Sequence, residues 1–120
     1  MPLKAVLSGI VENVDGCLAA VVVASDGITI DGVATDPGRF DLQLLTVEYA
    51  SVIKEIRRAV ELVKAGEMEE IAVTTGSLYV VVRLLNSDIF AILVIDRNGN
   101  LGKGRYLLRL KSYDILKELE

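Results

Sequence analysis

The chain has no histidine, a single cysteine (Cys17) and two prolines. Without histidine, the base that ordinarily activates a nucleophilic serine or cysteine is missing. A lone cysteine permits no intrachain disulfide and gives no sign of an oxidising compartment. Long apolar stretches are also lacking. The longest, CLAAVVVA from Cys17 to Ala24, falls well short of the ~20 residues that cross a bilayer. At the N-terminus, Glu12 and Asp15 interrupt any export leader. We expect a cytoplasmic protein without membrane insertion.

Positive charge is scarce as well. Thirteen Lys and Arg face seventeen Asp and Glu, and the net charge of −4 argues against wrapping nucleic acid phosphates. The exception is the C-terminal stretch, where Lys103, Arg105, Arg109, Lys111 and Lys117 make the only basic segment. What the chain has in excess is apolar side chains. At 52% of 120 residues they exceed what one small core needs, so one domain (1–120) with some apolar surface reserved for an interface is expected.

Hydrophobic spacing sets out the elements. Leu3, Val6, Leu7, Ile10 and Val14 recur at three and four, predicting a short amphipathic helix that Asp15-Gly16 ends. Residues 17–24, apolar throughout, predict a strand covered on both faces and central in its sheet. Past Ser25-Asp26-Gly27, Ile28 and Ile30 alternate with Thr29 and Asp31, the pattern of a half-exposed antiparallel partner. Ala34 to Phe40 is a breaker-rich loop around Asp36-Pro37-Gly38.

From Asp41 to Lys64 no Gly or Pro intervenes, and Leu42, Leu45, Tyr49, Val52, Ile56, Val60 and Val63 mark a long helix. Leu44, Val47, Ile53, Ala59 and Leu62 widen its apolar surface beyond what one sheet covers. Three strands follow, Ile71 to Thr75, Leu78 to Leu85 and Ile89 to Ile95, joined by short links as an antiparallel meander. The last segment is read as a loose lead that ends in a helix. The order is α-β-β-α-β-β-β-α: an α+β fold with a five-stranded antiparallel sheet and helices on both faces.

No motif survives a test for chemistry. Ser25 and Asp26 lack a base, and Asp-Gly between apolar strands is a hairpin signal, because glycine takes positive φ at no steric cost. Cys17 has no neighbouring cationic cluster in the sequence to lower its pKa and reads as a small buried residue. DRNGN, from Asp96 to Asn100, begins like a calcium loop. Its sixth position is Leu101 rather than Gly and its twelfth is Leu107 rather than Glu. GNLGKGR, from Gly99 to Arg105, lacks the Ser or Thr after lysine that a phosphate loop needs and reads as a flexible lead. Glu67, Glu69 and Glu70 read as a solvated loop. No catalytic residue, metal ligand or cofactor is therefore assigned, and the chain is not expected to be an enzyme. What stands out is an edge strand at Ile71 to Thr75 following a helix with apolar surface to spare, a combination that predicts a two-fold homodimer.

These features resemble the roadblock/dynein light chain superfamily, in particular its bacterial and archaeal MglB-like single-domain members. The resemblance spans nearly the whole chain. It rests on the leading helix, the VVVASDGITIDG hairpin, the long second helix, the TTGSLYVVVRLL strand pair and the IDRNGNLGKGR segment. It implies the profilin-like roadblock architecture and a homodimer with a sheet continuous across the subunit boundary. It also implies a small Ras-like GTPase as partner, whose hydrolysis some family members stimulate while others serve as platforms. On this chain the dimer seam would use Tyr49, Val52, Ile53, Ile56, Ile71, Val73 and Thr75, and the partner face Lys54, Glu55, Arg57, Arg58 and Glu61. A scaffold docking a signalling or motor complex is the alternative, and a small-ligand sensor between sheet and helix a third reading.

Overall fold

The computed structural model describes residues 2–119. Its elements are α1 (Leu3–Asn13), β1 (Cys17–Ala24), β2 (Thr29–Ala34), α2 (Leu42–Leu62), β3 (Glu70–Thr74), β4 (Leu78–Leu84), β5 (Ile89–Asp96) and α3 (Leu101–Glu118), in the expected order. The strands form one antiparallel sheet in the order β2-β1-β5-β4-β3. β1 is an interior strand, as its apolar run requires, but β5 holds the middle. Both are buried over almost their whole length, so their pairing places the two most apolar strands where both faces are covered.

The alternation of side chains divides the core in two. On one face Ala20, Val22, Val81, Leu93 and Ile95 pack against Leu7 and Ile10 of α1 and Leu108 and Ile115 of α3. On the other, Val21, Val23, Val80, Val82, Phe90 and Ile92 pack against Ala50 and Ile53 of α2. Each such Val, Leu, Ile or Phe side chain contributes about 1.5–3 kcal/mol when fully buried. The second layer is a continuous cluster of buried side chains between the sheet and α2.

The turn between β1 and β2 is a hairpin and nothing more. The Gly27 amide donates to the Ala24 carbonyl at 2.9 Å, the Asp26 carboxylate accepts from the Ile28 amide at 3.1 Å, and Gly27 sits at φ 91°. The Ser25 amide donates to the Asp88 carbonyl, tying this turn to the one before β5.

Four expectations change. Ile28 and Ile30 do not face a core: they are 66% and 42% exposed, because β2 begins at Thr29 as an edge strand and a bulge between Val22 and Val23 shifts its register. GNLGKGR is not a flexible lead, since Asn100 caps α3 by accepting from the Lys103 amide at 3.0 Å and Leu101 to Arg105 are already helical. Gly104 is buried there because a Cβ would sit 2.5 Å from Cδ1 of Ile95. Glu70 lies in strand β3, not in a solvated loop. Finally, the fully buried line of α2 is Thr46, Ala50 and Ile53, while Leu42, Leu45 and Tyr49 of the line that spacing favoured pack part-buried beside it.

Candidate functional site

The surface that the sequence singled out is built by α2 and β3. Asp41 caps α2, its carboxylate accepting from the Leu44 amide at 3.0 Å. Thr46 is buried with its hydroxyl donating to the Gln43 carbonyl at 2.8 Å, so the polar group in the core line is satisfied. The β1–β2 turn lies against one flank of the helix, where a Cβ on Gly27 would approach Val47 Cα at 3.4 Å and Ala50 Cβ at 3.6 Å. Residues advance by ~100° each along a helix, so Leu45, Tyr49, Val52, Ile56, Ala59 and Val63 fall on the opposite flank, above the β4 and β3 side of the sheet. Their spacing of four and three is that of a helix-packing seam. Within it Tyr49 and Ile56 are half-buried and Val52 is 47% exposed. Burial lifts the Tyr49 phenol above its ordinary 10.0.

Ile71 and Val73 of β3 pair with Val82 and Val80 and so lie on this same sheet face, beneath the seam flank of α2. The fold thus brings Tyr49, Val52, Ile56, Ile71 and Val73 to one border of the molecule. Two of the seven expected seam residues are used elsewhere. Ile53 is 3% exposed, packed against the sheet, and has no surface to offer. Thr75 builds the β3–β4 turn, its hydroxyl accepting from the Leu78 amide at 2.9 Å and the Ser77 amide at 3.1 Å. Arg97 braces that turn, donating to the Thr75 carbonyl at 2.7 Å and lying 5.2 Å from the Tyr79 ring centre.

The expected partner residues take the other side of α2. Lys54, Glu55, Arg58 and Glu61 are exposed, and Arg58 reaches Glu55 at 3.4 Å. Arg57 is different: its guanidinium donates to the Ser87 carbonyl at 2.9 Å and the Asn86 carbonyl at 3.5 Å, clamping α2 to the β4–β5 turn. It is a brace more than a free side chain.

Sequence reasoning missed the polar contacts at the sheet borders. Glu70 accepts from Arg105 Nε at 2.9 Å, with Arg83 within 3.8 Å, which joins α3 to the β3 end of the sheet. Lys4 reaches Asp31 at 3.0 Å and the Gly32 carbonyl at 3.1 Å on the β2 border. No sequence signal marks either, since the partners lie in separate elements. The four-three spacing along α2, in contrast, was there to be read. Asp96, the first residue of the calcium-like stretch, spends its carboxylate on the Asn98 amide at 2.7 Å and on Arg39.

This architecture is that of a roadblock domain, and comparison with solved structures agrees. MglC from Myxococcus xanthus is 35% identical, with 98% of this chain and 99% of that chain covered and a TM-score of 0.70. A roadblock/LC7 domain from Streptomyces avermitilis is 18% identical over 99% and 98%, at a TM-score of 0.85. MglB from Thermus thermophilus is 16% identical over 95% and 85%, also at 0.85. No family model and no curated protein matches the sequence. The chain belongs to the roadblock superfamily, among its MglB- and MglC-like members. It is accordingly a roadblock-type regulatory protein. Among the described residues no helix is long and apolar enough to cross a membrane.

Proposed function

We propose that the chain acts in the cytoplasm as a two-fold homodimer that binds a small Ras-like GTPase and promotes GTP hydrolysis by steadying its switch regions. The observation that carries the dimer is the contrast between the two sheet borders. On β2, the Gly32 carbonyl accepts from Lys4 and the Gly32 amide donates to the Asp31 carboxylate at 2.8 Å, so both backbone groups at the middle of that edge are taken. On β3, Ala72, Val73 and Thr74 are exposed, and Val73 lies on the sheet face beneath the half-covered Tyr49, Val52 and Ile56 seam. Pairing two β3 edges covers the seam of both copies with one two-fold axis.

That arrangement leaves Lys54, Glu55, Arg58 and Glu61 on the far flank of α2, free to meet a GTPase. Arg57 holds the β4–β5 turn and Arg58 pairs with Glu55, which supports a positioning role and leaves the catalytic groups to the GTPase. A non-catalytic adaptor is the second reading. It is favoured by Arg57 and Arg58, both of which are engaged by groups of this chain.

The test is single-turnover GTP hydrolysis by the cognate GTPase with and without this protein. Acceleration that Lys54→Glu with Arg58→Glu abolishes supports the activator. An unchanged rate with retained binding leaves the adaptor, and binding that survives the double substitution removes the assigned surface.

A further inference from the structure

A second surface lies on the opposite side of the sheet, away from α2 and β3. Between α1 and α3 runs an open groove of about 740 Å³, floored by Ala5, Gly9, Ile10, Leu107 and Leu110. Leu110 is 54% exposed, and Tyr106 and Tyr113 at 53% and 70% continue the apolar surface over the crest of α3. Three large apolar residues at spacings of four and three on a solvent-facing helix side are more than a monomer ordinarily leaves uncovered.

Gly9 is the informative residue. It sits in the middle of α1, where glycine costs roughly 0.5–1 kcal/mol relative to alanine. A Cβ there would meet nothing within 4 Å, so packing inside this chain does not require it. What a missing side chain at this place does provide is close approach for something lying in the groove.

The rim supplies the sign of the charge. In a chain of net charge −4, α3 carries Lys103, Arg105, Arg109, Lys111 and Lys117 against Asp114 and Glu118. Lys103, Lys111 and Lys117 line the groove together with Asp114 and Glu118, a small basic excess; Lys111 lies 3.9 Å from Asp114, and Lys103 has no ion-pair partner among the described residues. Lys103 and Lys111 are eight residues apart, ~12 Å along the helix, or about two turns of a helix laid alongside.

We propose that this groove seats an amphipathic helix of a partner protein, its apolar ridge on Gly9 and Leu110 and its carboxylates on Lys103 and Lys111. The concave floor fits a helix and not a flat bilayer, and the single basic element of an acidic chain fits an acidic partner. The surface shares no residue with the dimer seam or the GTPase-facing flank, so it stands or falls separately from them.

The experiment uses the full chain and a fluorescein-labelled synthetic helix of about 15 residues, with leucines on one face and glutamates elsewhere. A control peptide carries lysines in place of the glutamates. The acidic peptide is expected to bind saturably and the lysine peptide not to bind. Gly9→Leu, which fills the groove, and Lys103→Glu with Lys111→Glu should each weaken binding by about tenfold or more with thermal melts unchanged. If Gly9→Leu does not fold, Leu110→Glu on the exposed crest takes its place. Undiminished binding to these variants, equal binding of the lysine peptide, or recruitment to phosphatidylserine vesicles without peptide binding would overturn the proposal.

Discussion

Asp31 and Lys4 meet at 3.0 Å across the border of β2, and the same ammonium donates to the Gly32 carbonyl. This contact guards the β2 edge with a surface charge pair at Gly32, a device that β3 lacks at Ala72, Val73 and Thr74. It also holds the Asp31 carboxyl below its ordinary 3.8, chiefly through the Lys4 hydrogen bond, against some desolvation and with the Gly32 amide adding to it.

The pH consequence has a definite sign. Asp31 is lowered, and so is Asp96, by the Asn98 amide first and Arg39 second. Carboxyls depressed on folding contribute stability that is present above the unfolded value near ~4. That stability is lost as pH falls through the folded values. Thermal melts from pH 7 downward should show this acid loss, and Lys4→Ala should make it shallower. At pH 7 the same variant should lose under about 1 kcal/mol, the ceiling for an exposed pair.

Breaking the seam should separate association from folding. Val52→Lys and Val73→Lys change exposed positions, so each should alter stability by no more than about 0.5 kcal/mol. Light scattering should nevertheless find monomer where the native chain is dimeric. Ile53→Ala should do the reverse, costing about 2–5 kcal/mol of stability as a core truncation. A monomeric native chain at high concentration would remove the dimer.

The turn before α3 packs against the end of α1. A Cβ on Gly99 would lie 2.5 Å from the Asp15 carbonyl oxygen and 2.6 Å from Ile95 Cγ2. Gly99→Ala should therefore cost about 1–3 kcal/mol through overpacking, a fall in melting temperature of roughly 4 °C per kcal/mol. Gly38→Ala, in open space on a loop, is the control and should change little.

Cys17 is buried, and desolvation raises its thiol to about 11 despite an opposing backbone hydrogen bond at Ala19. A disulfide reagent at neutral pH should react only as fast as the chain opens. Because the folded value is raised, the associated stability is complete below the unfolded pKa near 9 and is lost as pH climbs toward 11. Cys17→Ala should flatten that alkaline loss in denaturant titrations.

Element order, the hairpin at Asp26-Gly27 and the division of the chain into α2 and a β-meander were legible in the residues. They follow from repeats of two and 3.6, which are local properties of the backbone. The departures share one cause. Ile53 and Val52 are neighbours with equal claim to be core, and only the angle at which α2 crosses the sheet sends Ile53 inward and Val52 outward. Gly102 and Gly104 argue against a helix by propensity, yet α3 begins before them, capped by Asn100, and Gly104 lets the helix lie close to Ile95.

Which side chains work together belonged to the fold. Glu70 with Arg105, Lys4 with Asp31 and Arg57 with Ser87 each join elements far apart in the chain, and their meeting depends on the strand order β2-β1-β5-β4-β3. The amino acids therefore specified the parts and their apolar faces through short-range periodicity. What guards the β2 border, and which arginine is a brace, came from long-range packing, because no local pattern encodes a distance across a sheet.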